Sequence, residues 1–211
     1  MYKTYIFDLD GTLLDTLSDL AAAVNFALRT HGMPEHSIDD VRRFVGNGVR
    51  KLMERAIPDG AANPQFDETF ATFRQYYMAH SLDTTRPYEG IPEALAALKA
   101  RGCRLAVVSN KMMAATQELC LHFFPDTIEV AIGENEAEGI RKKPAPDTVF
   151  AALKALGVGK EGAVYVGDSD VDIETARNSG LPCISVLWGF RDRDFLIQHG
   201  AKTFISDPGN L

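Results

Sequence analysis

The sequence predicts an α/β fold: a parallel sheet with crossover helices, interrupted near its start by an inserted α-helical block. Three observations predict it. From Pro87 onward, short apolar runs alternate with helical patterns, which is the signature of a parallel sheet with right-handed connections. A similar apolar run, Tyr5-Ile6-Phe7, stands alone at the start. Between the two, from about Asp15 to Leu82, the pattern is helical with no convincing strand. Residues 1–14 and 83–211 are therefore expected to form an α/β core, and residues 15–82 a helical insertion.

Taken in order, the first strand is expected from about Lys3 to Phe7. A helix follows from Ser18, read as its N-cap, with Leu20, Val24 and Leu28 at helical spacing and Gly32 and Pro34 as its stop. Ser37-Ile38-Asp39-Asp40 has the form of a second helix start, with an acid three residues after the cap. The glycines of Phe44-Val45-Gly46-Asn47-Gly48-Val49 mark a loop, and helices cover about Val49 to Ala56 and Phe66 to His80. Phe66, Phe70, Phe73 and Tyr77 share one face and read as core packing.

After Pro87-Tyr88-Glu89-Gly90 a helix spans Ile91 to Ala100. A strand from Arg104 to Val108 leads into Ser109-Asn110-Lys111, and a helix follows to about His122. A short strand is expected near Ile128 to Ile132, and Glu134-Asn135-Glu136-Ala137-Glu138 reads as a solvated loop. Basic, Pro-rich Arg141 to Pro146 opens a helix to Leu156. A strand from Ala163 to Val166 runs into Gly167-Asp168-Ser169-Asp170-Val171-Asp172, followed by a helix to Gly180 and a strand from Cys183 to Leu187.

The chemistry gathers at strand ends. Asp8 and Asp10 are two residues apart at the end of the first strand. Either a continuing strand projects both from one face, or they crowd one loop. A close carboxylate pair is costly unless a cation lies between them or one acid holds a proton. Gly11 allows a tight turn, and Thr12 adds a hydroxyl and a backbone N–H. In open α/β sheets ligands bind beyond the carboxyl ends of strands. Those ends carry Asp8 and Asp10, then Ser109 and Asn110, then Asp168 and Asp172, with Lys143 on a loop before a helix. Four carboxylates against one lysine demand a cation before any anionic substrate enters. Mg²⁺ fits an oxygen-rich set, whereas zinc would want a His or Cys cluster that is absent here. Such a site suits carboxylate attack on phosphorus, with a second carboxyl moving the proton and Ser109 and Lys143 stabilising phosphoryl charge.

Composition bounds the partners. The chain has 211 residues, 45% apolar, with a net charge of −7, which supports a sizeable core and argues against a nucleic-acid backbone as partner. Cys103, Cys120 and Cys183 are odd in number and set in apolar surroundings, as expected of reduced core thiols in a cytoplasmic protein. Neither a signal peptide nor a membrane-spanning run is expected.

Taken together, Asp8-Leu9-Asp10-Gly11-Thr12, Val107-Val108-Ser109-Asn110, Lys143-Pro144 and Gly167-Asp168-Ser169-Asp170-Val171-Asp172 resemble the four motifs of the haloacid dehalogenase superfamily, in order and over essentially the whole chain. The resemblance implies a Rossmann-like core with a four-helix cap. It also implies Asp8 as nucleophile and Asp10 as general acid/base. Asp8, Asp10 through its backbone carbonyl, and Asp168 would bind Mg²⁺, and Asp172 would support the metal site or Lys143. An acid at Asp10 is what phosphatases of the superfamily carry, and it disfavours dehalogenation.

Val45-Gly46-Asn47-Gly48 and the Pro87-Tyr88-Glu89-Gly90 return are similar to the phosphoglycolate phosphatase branch. By that resemblance the cap selects substrate, with Gly46, Asn47 and Arg50, and also Arg42 and Arg43, as candidates. Gly11, Thr12 and Asn110 are candidates for holding phosphate. Asp19 is read as a helix-start acid favoured by the dipole. Asp15 lies at the expected hinge, Asp170 is expected to face solvent, and Lys142 competes with Lys143. The expected partner is a small phosphorylated metabolite, phosphoglycolate first, handled by a monomer or homodimer. Pyrophosphate, sugar phosphates, nucleotides and a phosphosugar mutase reaction are the alternatives. A receiver-like, non-enzymatic phospho-binding protein fits poorly, because the acids open the chain and an insert follows them.

Overall fold

The computed structural model describes residues 2–135 and 138–211. Two compact units are present: residues Met1–Leu14 with Pro87–Leu211, and residues Asp15–Arg86.

The first unit is built on a six-stranded parallel sheet. Its strands are β1 (Thr4–Phe7), β4 (Arg104–Met112), β5 (Val130–Glu134), β6 (Ala163–Gly167), β7 (Cys183–Val186) and β8 (Phe204–Ile205). Their spatial order is β5-β4-β1-β6-β7-β8. The chain thus builds outward from β1 in one direction and then crosses back to build in the other. Phe7 pairs in register with Val107 on one side and Val166 on the other, so Asp8 emerges at the level where β4 and β6 also end their apolar runs.

Both faces of the sheet are covered, which is why its strands are nearly continuous apolar runs. Tyr5, Phe7, Leu105, Val107, Val164 and Val166 pack with α5 (Ile91–Ala100) and α6 (Met113–Phe123). The alternate residues Ile6, Ala106, Val108, Ala163 and Tyr165 pack with α7 (Asp147–Leu156) and α8 (Asp170–Ser179). The period of two along each strand assigns every side chain to one layer or the other.

The helical unit contains α1 (Leu17–Thr30), α2 (Ile38–Phe44), α3 (Val49–Ala56) and α4 (Phe66–His80). Its core includes Val24, Ala27, Leu28, Phe73 and Tyr77, all with no exposed area. The aromatic stripe of α4 is a run of stacked rings, and Phe66, Phe73 and Tyr77 are buried.

Several expectations shift. α1 starts at Leu17 after Thr16, and exposed Ser18 lies inside the helix instead of capping it. Ser37 does cap α2: its hydroxyl accepts from the Asp40 N–H while Asp40 accepts from the Ser37 N–H. β4 runs on through Ser109 and Asn110 to Met112, because Met112 pairs with Glu134 after a register shift. β5 begins two residues later than the expected strand. Of the expected acidic loop, Glu134 ends β5, and Glu136 and Ala137 lie outside the described residues. Short elements without a periodic signal also appear: β2 (Leu14–Asp15) pairs with β3 (Arg86–Pro87), and α9 (Arg193–Gln198) precedes β8.

Thr84 and Thr85 stay with the helical unit. The buried Asp19 carboxylate accepts from both of their backbone N–H groups and both hydroxyls. Asp19 does stand in the first turn of α1, but its carboxylate is committed to the returning chain, a link across 65 residues that local pattern does not reveal.

Candidate active site

The loop after β1 is shaped by its backbone. The Asp8 N–H donates to the Val166 carbonyl, and the Gly11 N–H to that of Leu14. Gly11 has φ +83, and a Cβ there would lie 2.4 Å from Asp168 Oδ2. Glycine is required twice over, by the left-handed backbone and by the close approach of a carboxylate.

Asp8, Asp168 and Asp172 form a buried cluster whose ligand atoms all lie within 4.8 Å of one another. Burial pushes the Asp8 carboxyl well above its usual range, the charge of Asp172 adds to this, and Lys143 opposes it. Asp168 is pushed up to about 7, by burial first and then by Asp172. Carboxylates this close and this dry strain toward protonation. A hard divalent cation among their oxygens relieves the same repulsion, and the donor set fits one.

Lys143 is buried among them. Its Nζ lies 2.8 Å from Asp8 Oδ1, 2.9 Å from Asp172 Oδ1 and 3.0 Å from the Tyr165 hydroxyl. Burial alone would lower its pKa, but the Asp172 and Asp8 charges outweigh it and the pKa is raised. The competing Lys142 is not the buried lysine of this cluster, although it immediately precedes Lys143.

Asp172 has both oxygens engaged. Oδ1 accepts from Lys143 and Tyr165, and Oδ2 from the Asp168 and Ser169 N–H groups and the Ser169 hydroxyl. It adds charge to the cluster while its lone pairs fix Lys143 and the turn from β6 into α8. The hydroxyl of Ser169 also accepts from the Asp172 N–H, completing a capping box on α8. Asp170 is only partly buried.

The other expected residues of this unit are also here. Ser109, buried within β4 just after its apolar run, accepts from the Lys111 N–H. The Asn110 side chain donates to the Lys143 carbonyl and accepts from the Lys143 N–H. The Thr12 hydroxyl donates to Asp168 Oδ1 at 3.4 Å. Asp10 pairs with Lys111, whose Nζ is 3.2 Å from its Oδ1.

Gly46, Asn47 and Arg50 belong to the helical unit. Asn47 accepts from Arg55, and Arg50 lies over the Phe66 ring at 4.9 Å and near Glu54 at 3.5 Å. Arg42 and Arg43 pair with Asp39 and Asp40 on their own helix. Asp15 lies 3.9 Å from Arg86.

Three contributors escaped the sequence reading. Lys111 is buried, and its signal was its place directly after Ser109-Asn110. Tyr165 sits in an apolar strand, and the signal was a hydroxyl that a buried tyrosine must satisfy. The loop after β7 is the third. There the Phe190 N–H donates to Asp168 Oδ2 at 2.7 Å, and Trp188 Nε1 donates to the Thr12 carbonyl. All three thiols are free, and burial raises Cys120 and Cys183 to about 12.

Comparison with known proteins agrees with this geometry. Residues 5–186 match the family model described as haloacid dehalogenase-like hydrolase. A phosphoglycolate phosphatase of Aquifex aeolicus is 37% identical over 193 residues, covering 89% of this chain and 86% of that protein. An N-acetylmuramic acid 6-phosphate phosphatase of Pseudomonas aeruginosa is 29% identical over 99% of this chain and 92% of its own length. The crystal structure of a candidate phosphoglycolate phosphatase from Lactobacillus delbrueckii subsp. bulgaricus superposes with a TM-score of 0.94 at 37% identity, covering 99% of this chain and 96% of that one. With the family model spanning most of the chain and a buried aspartate cluster at the sheet's carboxyl edge, the chain belongs to the haloacid dehalogenase-like hydrolases and is one of the family's phosphatases.

Proposed function

We propose that the protein is a Mg²⁺-dependent phosphomonoester hydrolase that works through an aspartyl phosphate on Asp8, with phosphoglycolate as its leading substrate. The observation that carries the reading is Asp8 itself. It is a buried carboxylate at the end of the central strand, 2.8 Å from the Lys143 ammonium and clustered with Asp168.

Asp8, Asp168 and the Asp10 carbonyl would hold Mg²⁺, which when bound draws charge from the phosphoryl oxygens and relieves the carboxylate repulsion. An Asp8 oxygen attacks phosphorus as the ester oxygen leaves. Asp10 gives its proton to that leaving oxygen and later takes one from the water that hydrolyses the acyl phosphate. Ser109, with N–H groups of the Asp8–Thr12 loop, holds phosphoryl oxygens. Lys143 offsets the charge that builds on them in the transition state.

Phosphoglycolate is favoured by the relatives that bear that name at 31–37% identity. A sugar phosphate is the second reading, supported by the N-acetylmuramic acid 6-phosphate phosphatase that matches nearly the whole chain. Phosphate release from phosphoglycolate, hexose phosphates, N-acetylmuramic acid 6-phosphate, pyrophosphate and nucleotides, with Mg²⁺ and with chelator, separates them. One substrate far ahead of the others and silenced by chelator fixes the role. Retained release in an Asp8→Asn variant would sink the covalent mechanism.

A further inference from the structure

We propose that Tyr165, with Asn110, is a positioning residue that aims Lys143 at Asp8; this rests on the functional reading above for its consequence in catalysis. A lysine ammonium has three N–H donors and no acceptor. Three acceptors surround that of Lys143: Asp8 Oδ1 at 2.8 Å, Asp172 Oδ1 at 2.9 Å and the Tyr165 hydroxyl at 3.0 Å. Tyr165 has no exposed area, and its own proton goes to Asp172 Oδ1 at 2.9 Å. The hydroxyl therefore closes a triangle between the lysine and the aspartate.

A lysine side chain has four rotatable bonds and directs a point charge poorly by itself. Here the head is fixed by Asp172 and Tyr165. The root is fixed by Asn110, whose amide donates to the Lys143 carbonyl at 3.0 Å and accepts from the Lys143 N–H at 2.7 Å. When Asp8 bonds to phosphorus, two of the three acceptors stay in place, and the N–H released from Asp8 faces the transferred group. The Asn110 side chain thereby acts through Lys143, while its backbone is left to the phosphate role expected from the sequence.

The test is a double-mutant cycle on the full chain with Mg²⁺, using p-nitrophenyl phosphate and phosphoglycolate. Tyr165→Phe keeps the ring and removes the hydroxyl. It is expected to lower kcat roughly tenfold to a hundredfold, with KM held within about twofold. In a Lys143→Met background the same change is expected to have an effect below about twofold. Asn110→Ala is expected to be non-additive with Lys143→Met in the same way, and serves if Tyr165→Phe does not fold. A kcat within twofold of wild type in Tyr165→Phe, or full multiplication of effects in the double variants, would overturn the proposal. Urea midpoints of wild type, Tyr165→Phe, Lys143→Met and their double variant give a reading without turnover: the Tyr165→Phe shift should shrink when Lys143 is absent, leaving only the part due to the lost Tyr165–Asp172 bond, and fully additive shifts would count against the link. Absence of phosphate release from wild type would reject the functional reading alone, leaving the stability cycle to judge the positioning.

Discussion

The Nζ of Lys111 lies 3.2 Å from Asp10 Oδ1, and the lysine side chain is only 2% exposed. A second buried ammonium therefore stands among the carboxylates, beside the acid proposed to handle the leaving-group proton. Lys111→Met would leave Asp10 without that partner. Because the Asp10 side chain keeps 16% of its exposure, the cost should fall below that of breaking a fully buried pair, at about 1–3 kcal/mol. Phosphate release should fall roughly tenfold or more. Urea unfolding and steady-state kinetics check both, and unchanged values in both would mean that the pair is incidental.

Gly189 is expected to be as intolerant as Gly11. A Cβ there would lie 2.3 Å from Asp168 Cβ and 2.4 Å from the Gly11 carbonyl oxygen. Gly189→Ala must displace either Asp168 or the loop that supplies the Phe190 N–H. The Mg²⁺ concentration for half-maximal activity should rise on the order of tenfold or more. A Mg²⁺ titration of phosphate release measures this; an unchanged midpoint would show that the loop moves aside and Asp168 does not.

Asp19 gives a signed pH dependence. Burial would raise its pKa, but the hydrogen bonds from Thr84 and Thr85 outweigh burial and the pKa is lowered. A depressed carboxylate stabilises the fold above its unfolded value of about 4, and that contribution is lost as pH falls through the folded value. Asp19→Asn should cost about 1.5–3 kcal/mol at pH 7. The gap from wild type should narrow as pH drops below about 4. Thermal melts across that range test it, and a gap that widened in acid would reverse the assignment.

The two serines at helix starts should behave differently. Ser37→Ala removes a capping box and should cost about 1 kcal/mol. Ser18→Ala changes an exposed residue inside α1 and should stay within about 0.5 kcal/mol. Denaturant unfolding of the two variants side by side decides it.

Much of the framework was legible because its signals are local. β1, α3, α4, α5 and α8 follow from periodicity and from Gly, Pro or Ser-Asp boundaries, and α3, α4 and α5 begin and end at the expected residues. The Ser37 cap was readable because a capping box is contained within four residues. The start of α1 was not legible because Thr16 precedes the helix without a side-chain capping bond, so no local hydroxyl signal marks it. The shift along β4 was unreadable because it depends on pairing with β5, about twenty residues away.

The sequence alone determined which acids gather at the carboxyl edge of the sheet. Their places directly after the apolar runs deliver Asp8 and Asp168 there, with Ser109 beside them, once the strands are parallel. Tertiary structure decided which polar groups those acids face. Lys143 meets Tyr165 across 22 residues and Asp172 across 29, Thr12 meets Asp168 across 156, and Trp188 meets Thr12 across 176. Such partnerships are set by burial, since each carboxylate removed from water must find its donors among whatever the packed layers bring within about 3 Å.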